Sequence, residues 1–353
     1  MAPDELTGLA QTVLGAIRPE ELGPTMTHEH LIIDFTLMFQ PPDDPSSPGP
    51  AFEPVSMDNL GWVRYNYFSN HDNLLLMDEE TAIREALLYK RAGGGTLVEV
   101  STIGLSRDPG ALQRISRATG LNIVMGAGFY VDDVHPDGMD ERSESELADQ
   151  IAGEVLDGVD GTDIRAGIIG EIGCSWPLTA NEHKVLRAAA AAQRRTGAAI
   201  LIHPGRDQDA PGQVMDVLAS AGADLGRVVM GHLDRTVSDL DALLDIAARG
   251  CYLEYDLFGL ESSYYPLGDM DMPSDAQRLG FIRRLIAEGY AERIVVGHDI
   301  YSKHRLVSYG GHGYGHFLQN IVPRMRKKGF AREHIDAITV GNPRRVLTFA
   351  PPI

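Results

Sequence analysis

The chain is poor in cysteine, in basic residues relative to acidic ones, and in long apolar runs. It has 353 residues but only two cysteines, Cys174 and Cys251, which lie in apolar stretches without metal-ligand spacing. We therefore expect free, buried thiols in a protein of a reducing compartment, with the cytoplasm as its location. Residues 1–20 lack the basic start and apolar stretch of a signal peptide. No apolar run approaches the roughly 18–20 residues that span a bilayer.

A shortage of positive charge restricts the partners of this protein. The 31 lysines and arginines are outnumbered by 50 acidic residues, and the formal net charge is −19. An acidic surface repels DNA, RNA and anionic membranes, so we expect neither a nucleic-acid nor a membrane partner. The Gly-rich fingerprint of dinucleotide-binding proteins is missing after the first apolar run. A small-molecule substrate is the expected partner.

A repeated strand-then-helix rhythm organises the chain. Amphipathic stretches of helical period at 78–94, 143–158, 179–197 and 238–250 begin with Ser, Thr or Asp and end at Gly, as helices do. They alternate with eight short apolar runs: "PTMTHEHLIID", "GTLVEVS", "NIVMGAGFY", "AGIIGEIG", "AAILIHPG", "RVVMGHLD", "CYLEYDLFG" and "RIVVGHD". Because composition does not break along the chain, residues 1–353 are predicted to form a single α/β domain, a (β/α)8 TIM barrel. A doubly wound open sheet is the competing fold.

One segment departs from this rhythm. Residues 41–54, "PPDDPSSPGPAFEP", are rich in proline and follow the first predicted strand. In a barrel this connection lies on the catalytic face. It is therefore predicted to be a loop insertion, which either walls a substrate pocket or extends as a surface loop.

Histidines and carboxylates occur where the predicted strands end. His28 and His30 lie two residues apart in "THEH" and would face the same side of a strand. Four more polar residues follow later strands: Glu171 in "GEIG", His203 in "LIHPG", His232 in "GHLD" and Asp299 in "GHD". The C-terminal ends of barrel strands meet at one mouth, which is where barrel enzymes have their active sites. The set therefore predicts a metal centre at this mouth rather than separate core histidines.

The number of ligands predicts two metal ions. Four histidines and two carboxylates exceed the three protein ligands of one catalytic zinc site. We expect one divalent ion to be held by His28, His30 and Asp299, a second by His203 and His232, and both to be bridged by Glu171 and a hydroxide. Zinc is the expected metal, and Mn, Co or Fe also suit imidazole and carboxylate ligands. His298 would point away from its neighbour Asp299, so a structural role is expected for it.

The metal motifs resemble those of a known family. "HEH", "GEIG", "LIHPG", "GHLD" and "GHD" match, in order and spacing, the motifs of the phosphotriesterase family of the amidohydrolase superfamily. The resemblance covers essentially the whole chain and implies a binuclear, metal-dependent hydrolase. In the best-known phosphotriesterases the bridging ligand is a carbamylated lysine on the fourth strand, and here Glu171 stands at that position. The side chain itself would supply the bridging carboxylate.

Further segments resemble one animal branch of that family, which also has a glutamate bridge. These are "QTVLG", "CSWPL", "GHLDRT", "CYLEYDLFG", "DMDMP" and "YGGHGYGH". The known activity of that branch is hydrolysis of N-acetyltaurine and related N-acyl amino acids, so the resemblance implies an amidase. Family barrels are often dimers, and by analogy a homodimer is expected.

Two alternatives to the amidase remain open. Lactonases of the family have Arg, and phosphotriesterases have His, after the aspartate that ends the seventh strand. This sequence has Leu257 at that position, and leucine cannot replace the charge of Arg or the proton relay of His. Lactone and phosphotriester hydrolysis are therefore less favoured than amide hydrolysis. The other alternative is a barrel that binds a ligand without catalysis, which gives no reason for keeping all six ligand positions.

The amidase hypothesis assigns further roles. The bridging hydroxide attacks the substrate carbonyl, and Asp299 moves its proton to the leaving amine, so Asp299 and Glu171 are the catalytic residues. Tyr130 ends the third strand and could line the acyl pocket, or it could be a core aromatic. The substrate anion calls for a cationic clamp, which could come from residues that follow barrel strands: Arg206, Arg235, Lys303 and His304. For each of these the alternative is a surface salt bridge.

Overall fold

A closed barrel of parallel strands forms the centre of the protein. The computed structural model describes residues 3–41, 49–262, 264–268 and 270–353. One sheet has eight parallel strands whose spatial order follows the sequence. We label them β1 Thr25–Glu29, β2 Thr96–Glu99, β3 Asn122–Ala127, β4 Ile168–Gly173, β5 Ile200–His203, β6 Val228–Met230, β7 Tyr252–Tyr255 and β8 Ile294–Val296.

The barrel closes between β8 and β1. The Thr27 hydroxyl donates to the Val296 carbonyl oxygen at 3.1 Å, and the Asp299 amide donates to the His28 carbonyl oxygen at 3.0 Å. All eight strands lie at the runs that the sequence indicated. The predicted (β/α)8 barrel is therefore confirmed, and the open sheet is excluded.

Helices surround the barrel. The side chains of Asp78, Ser143 and Thr179 accept hydrogen bonds from backbone N–H groups and so cap three of them, as the sequence signals indicate. The α-helices are α1 Leu60–Tyr65, α2 Glu79–Arg91, α3 Pro109–Thr119, α4 Glu144–Leu156, α5 Ala180–Thr196, α6 Ala210–Ser220, α7 Leu233–Thr236, α8 Leu240–Ala248, α9 Asp275–Ala287, α10 Val322–Lys327, α11 Arg332–Asp336 and α12 Asn342–Leu347. In the described part of the chain, no helix is both long and apolar enough to cross a membrane.

Two small antiparallel ribbons flank the barrel. Strands Ala10–Thr12 and Gly15–Ile17 form a hairpin near the N-terminal ends of the barrel strands, and the adjoining Val13 amide donates to the Ile123 carbonyl oxygen at 2.9 Å. Ile33–Asp34 pairs with Leu75–Leu76 in the connection after β1. Residues 42–48 of the predicted insertion 41–54 lie outside the described residues.

The barrel interior is apolar at its floor and polar at its C-terminal mouth. One buried cluster consists of strand residues whose side chains share a face: Val98, Val124, Leu201, Val229 and Val295. The remaining buried hydrophobic residues pack mainly between the sheet and the helices. The two cysteines are free and buried, as predicted. The apolar floor fills the lower part of the barrel interior, and the polar side chains lie at the mouth.

Candidate metal centre

The predicted ligands of β1 and β8 converge on Glu171. His28 Nε2 lies 3.5 Å from Glu171 Oε2 and 3.8 Å from Asp299 Oδ1. His30 Nε2 lies 3.4 Å from Glu171 Oε1 and 3.2 Å from Asp299 Oδ1. Metal–ligand bonds of about 2.0–2.2 Å put neighbouring ligand atoms about 3–4 Å apart, so these separations suit one shared ion.

The predicted ligands of β5 and β6 approach Oε2 of the same carboxylate, the oxygen that also lies near His28. His203 Nδ1 lies 2.9 Å from Glu171 Oε2, and His232 Nε2 lies 3.5 Å from that oxygen. The two histidines touch each other, with 2.8 Å between His232 Nε2 and His203 Nδ1. The structure therefore brings the other five predicted ligands together around Glu171.

The donor set fits a metal. The six side chains are at least nine-tenths buried on a whole-residue basis. His28 Nε2 is buried and has no hydrogen-bond partner among the described residues, although it points at two carboxylates. A buried nitrogen without a partner is costly, and a cation between it and those carboxylates would remove the cost. Two triads, His28–His30–Asp299 and His28–Glu171–His232, have ligand atoms that all lie within 4.8 Å of one another.

Two of the ligands have left-handed backbones. His232 has φ 53° and Asp299 has φ 50°, a region that non-glycine residues rarely adopt. Hydrogen bonds hold both: the His232 amide donates to Asp256 Oδ2 at 2.7 Å, and the Asp299 amide donates to the His28 carbonyl oxygen. Backbone strain of this kind is typical of functional sites. Here it directs a histidine and a carboxylate into the barrel mouth.

A second layer of carboxylates lies behind the histidines. Asp256 Oδ1 is 2.9 Å from His232 Nδ1, and Asp256 Oδ2 is 3.3 Å from His28 Nδ1. Glu254 Oε2 is 3.1 Å from His28 Nδ1, and its Oε1 accepts from the Thr27 hydroxyl at 2.5 Å. These acceptors hold a proton on Nδ1 of each ring, so Nε2 is the ring nitrogen that faces the centre.

His30 is oriented in the same way by a hydroxyl. The Ser101 hydroxyl donates to Glu99 Oε1 at 2.6 Å and accepts from His30 Nδ1 at 2.9 Å. His298, in contrast, turns away from the ligands. Its Nδ1 lies 2.5 Å from Glu29 Oε1, and its Nε2 accepts the Phe317 amide at 3.0 Å.

The electrostatic field of the site favours ionised ligands. Burial alone would raise the pKa of Glu171, but His28, His203 and His232 hold that pKa well below its usual value. Burial would also raise the pKa of Asp256. His232 and His28 outweigh this effect and hold the pKa of Asp256 well below its usual range. Glu254 differs, because burial raises its pKa to about 7. Glu171 and Asp256 are thus ionised carboxylates in contact with the candidate ligand histidines. Their negative charge would balance the charge of a bound cation.

A chamber adjoins the metal centre. Three of the predicted substrate-binding residues, Tyr130, Arg206 and Arg235, line it together with His30, Glu171, His203 and Asp299. The rest of its wall is aromatic or apolar: Phe35, Phe68, Leu257, Leu260, Tyr265, Met272 and Tyr301. The chamber wall therefore combines apolar and aromatic surface with the positive charge of two arginines.

The two arginines make no ion pair with a carboxylate in the described part of the chain. Arg206 Nε donates to the Tyr265 hydroxyl at 2.8 Å. Arg235 Nη2 lies 3.1 Å from His203 Nε2 and 3.2 Å from the Pro204 carbonyl oxygen. Charged groups in such a setting are normally paired. The chamber is therefore lined by two guanidinium groups that have no carboxylate partner among the described residues.

The structure does not bring Lys303 and His304 to the chamber. Lys303 Nζ donates to Asp72 Oδ1 at 2.6 Å. His304 lines a neighbouring cavity of about 460 Å³, beyond Leu260, and its Nδ1 lies 3.1 Å from Asn73 Oδ1. Burial and the nearby Arg305 lower the pKa of His304 to about 3, so its ring is neutral. Neither side chain is available as a clamp for an anion in the chamber.

Sequence reasoning missed the residues behind the ligands. Glu254 on β7 and Asp256, the residue after β7, lie two apart in "EYD". Because alternate strand residues share a face, and buried carboxylates are rare unless paired, this spacing was a usable signal. Glu99 and Ser101 carry the same signal at the end of β2. Nothing in the local sequence points to the contact between Arg235 and His203.

A closed (β/α)8 barrel with buried histidine and carboxylate ligands at its C-terminal mouth defines a metal-dependent hydrolase of the barrel class. The sequence profile of the phosphotriesterase family matches residues 8–347. The chain belongs to that family, and the resemblance found in its motifs is confirmed.

Relatives of known name cover almost the whole chain. The N-acetyltaurine hydrolase of Danio rerio is 49% identical over 347 residues, which are 98% of this chain and 99% of that protein. The N-acetyltaurine hydrolase of Homo sapiens is 50% identical over 346 residues, with the same coverage. Among solved structures, a resiniferatoxin-binding protein from Rhodobacter sphaeroides superposes with a TM-score of 0.93 at 37% identity, covering 98% of each chain.

Proposed function

We propose that this protein is an amidase that cleaves N-acetyltaurine or related N-acyl amino acids. One observation carries the proposal: two arginines without carboxylate partners line the chamber that adjoins the candidate metal centre. A substrate of this class has an amide to be cleaved and a sulfonate or carboxylate to be bound. Guanidinium groups bind such anions through paired hydrogen bonds. The similarity to N-acetyltaurine hydrolases supports the same class.

The proposed cofactor is a pair of divalent metal ions, with zinc as the expected metal. His28, His30 and Asp299 would hold one ion, His203 and His232 would hold the other, and Glu171 would bridge them. When bound, such ions lower the pKa of water and polarise a carbonyl group. The ionised state of Glu171, maintained by its three histidine neighbours, suits a bridge between two cations.

Asp299 is the proposed acid–base residue. Its Oδ1 faces His30 Nε2 at 3.2 Å, whereas its Oδ2 lies farther from the ligands, 3.9 Å from His232 Nδ1. In this proposal the Asp299 carboxylate takes a proton from the attacking water and delivers it to the leaving amine. An amine leaves poorly unless it is protonated, so this transfer is needed before the C–N bond breaks.

The remaining chamber residues have proposed binding roles. Tyr130 has its ring edge-on to His203, at 5.0 Å between ring centroids, and would pack against the acyl group. Arg206 and Arg235 would bind the anion. Leu257 brings no charge or proton relay into the chamber, which supports an amide rather than a lactone or phosphotriester as the main substrate.

Cellular context is also part of the proposal. The free, buried cysteines support a cytoplasmic protein, and family analogy supports a homodimer. Sedimentation of the purified protein would test the dimer, and cell fractionation would test the location.

The test of the function is release of taurine from N-acetyltaurine by protein loaded with Zn or Mn. We expect release by the parent protein and none by Glu171→Ala, because the bridging carboxylate is removed. A protein that holds two metals per chain and releases no taurine would overturn the taurine assignment. Panels of N-acyl amino acids, lactones and esters would then identify the substrate class.

A further inference from the structure

A second cavity lies next to the chamber, on the other side of Leu260. Its volume is about 460 Å³, within the range of roughly 300–1,000 Å³ that is usual for small-molecule sites. Helix α1 and the connections after β7 and β8 form its wall, which includes Arg64, Phe258 and Arg305. Leu260 is the only described residue that lines both spaces. The proposed function gives this cavity no role.

Two guanidinium groups supply positive charge to the cavity. Arg305 is only 5% exposed, and its Nη1 and Nη2 donate to the carbonyl oxygens of Asp299 at 2.9 Å and Phe258 at 3.0 Å. Arg64 Nη2 donates to the Gly310 carbonyl oxygen. Neither arginine forms an ion pair with a carboxylate of the described residues, and each guanidinium has further N–H donors among its five. In a chain of net charge −19, an anionic ligand would give these two cations a partner.

Both positive charges act on the same wall of the cavity. Burial, and then Arg305 and Arg64, lower the pKa of His304 to about 3, so this wall residue is neutral. Glu261 is the carboxylate of the wall, and its Oε1 accepts the Asp275 amide at 2.8 Å. No ion pair joins Glu261 to either arginine in the part of the chain that the structure describes. The cavity wall therefore has an excess of positive charge.

The rest of the wall is largely apolar and aromatic. Phe258, Leu260 and Ile300 line the cavity and are buried. Tyr65 lies at the rim and is 59% exposed, and its ring stacks on that of Tyr264 with 5.1 Å between the ring centroids. Aromatic rings of this kind can pack against a ring or an alkyl group of a ligand. Cationic and apolar surfaces together fit an organic acid better than an inorganic anion.

The Gly- and His-rich segment "YGGHGYGHF", residues 309–317, forms one side of the cavity. Gly310 has φ 84° and Gly313 has φ 65°, left-handed values that glycine adopts without strain. A Cβ atom at Gly311 would collide with the backbone of Arg305, and the Gly313 amide donates to the Arg305 carbonyl oxygen at 2.9 Å. The glycines therefore allow this segment to pack directly against Arg305.

We propose that this cavity is a second ligand site, which binds an organic acid with an aromatic or alkyl group and is coupled to the candidate metal centre through Arg305. The acid group would bind Arg305 and Arg64, and the apolar group would pack on Phe258 and Tyr65. Because Arg305 also donates to the Asp299 carbonyl oxygen, the ligand contacts a residue that positions Asp299. The effect on the reaction rests on the proposed function, whereas the binding site does not.

Calorimetry tests the binding of an acid. The probe is 3-phenylpropionate, which has no bond for a hydrolase to cleave, and the uncharged control is 3-phenylpropan-1-ol. We expect the parent protein to bind the acid at least about tenfold more tightly than the alcohol, as hydrogen bonds to charged groups imply. Arg64→Met should weaken binding of the acid by about tenfold. Arg117→Met, on the exposed side of α3, should leave it unchanged. Equal binding of acid and alcohol, or no binding of the acid, would overturn the proposal.

Variants of Gly61 show where the acid binds. Gly61 lies on α1 in the cavity wall, and a Cβ atom there would meet no heavy atom within 4 Å. Gly61→Phe should therefore fill the cavity and abolish binding, whereas Gly61→Ala, which adds one methyl group, should retain it. Arg206→Met removes a cation from the chamber and should also retain binding. Binding that persists in Gly61→Phe, or is lost in Arg206→Met, would place the acid in the chamber and overturn the proposal.

Steady-state kinetics test the coupling to Asp299. With N-acetyltaurine as substrate, we expect 3-phenylpropionate to lower kcat and leave KM unchanged, because an acid bound to Arg305 weakens its hydrogen bond to the Asp299 carbonyl oxygen. The acid should have no effect on Gly61→Phe. A raised KM at constant kcat would indicate competition in the chamber and overturn the proposal, and unchanged kinetics at saturating acid would overturn the coupling. If the protein releases no taurine, the proposed function fails, and calorimetry still decides whether the second site exists.

Discussion

At the scale of single residues, Asp256 connects the two halves of the candidate metal centre. One of its oxygens accepts from His232, and the other lies against His28 and the His232 amide. These histidines belong to different proposed metal sites. A single carboxylate therefore sets the tautomer of one ligand in each.

We predict that Asp256→Asn weakens metal binding. An amide has only one acceptor atom, and its NH2 group would face a ring N–H or a backbone N–H. Loss of such an outer partner typically costs about 10–100-fold in metal affinity. Competition with a chromophoric chelator measures the change. Asp241→Asn, on the exposed face of α8, is the control, and equal affinity of the two variants would contradict the assigned role.

We predict that substitutions of the two candidate clamp residues, Arg206 and Lys303, have different effects on kcat/KM. Arg206→Met should reduce kcat/KM for N-acetyltaurine by about 10–100-fold, since a hydrogen bond between charged groups contributes about 1.5–3 kcal/mol. Lys303→Met should have little effect, because the ammonium pairs with Asp72 outside the chamber. A larger loss in Lys303→Met than in Arg206→Met would show that the anion binds elsewhere.

At the scale of elements, α9 anchors the loops that wall the chamber. Arg278 on this helix is fully buried and pairs with Asp234 Oδ2 at 2.7 Å and Asp275 Oδ1 at 2.9 Å. Its Nη2 also donates to the Leu260 carbonyl oxygen at 2.8 Å, and Asp234 Oδ2 accepts the Leu257 amide at 3.0 Å. One guanidinium thereby ties the connections after β6 and β7 together.

We predict that Arg278→Met lowers the free energy of unfolding by about 3–5 kcal/mol, because it leaves two buried carboxylates without their cation. Arg284→Met on the same helix breaks only an exposed pair with Glu288. It should cost at most about 0.5 kcal/mol. Urea denaturation of both variants measures the difference. Similar midpoints would mean that the buried network contributes nothing to stability.

At the scale of the whole molecule, the barrel concentrates negative charge at its mouth. Glu171, Asp256 and Asp299 are buried at the mouth. Burial raises the pKa of each carboxyl group, but neighbouring histidines outweigh this effect and hold the pKa below its usual value. A cation bound among them binds the folded state and not the unfolded chain. Metal occupancy should therefore be coupled to global stability.

We predict that removal of metal with a chelator lowers the unfolding temperature and that added zinc restores it. Each tenfold excess of free metal over its dissociation constant contributes about 1.4 kcal/mol to the folded state. Differential scanning calorimetry measures the shift. Glu171→Ala, which lacks the bridging carboxylate, should respond less to zinc. An unfolding temperature that is the same with and without metal would contradict a centre occupied in the folded protein.

The sequence by itself determined the barrel and the positions of its candidate ligands. Eight apolar runs at regular intervals specify parallel strands, because strand and helix periodicities are local properties of the chain. Once the strands are parallel, any polar residue that ends one must reach the common mouth. His28, Glu171 and Asp299 could be found in this way, although 271 positions separate the first from the last.

Only the tertiary structure decided which side chains meet behind and beside those ligands. Asp256 reaches two histidines from other strands, Arg235 contacts His203, and Lys303 turns to Asp72 instead of the chamber. These outcomes depend on distances of a few ångströms between residues that are remote in sequence. Periodicity carries no information about such distances, since it specifies the face of an element and not the rotamer or the partner of a side chain.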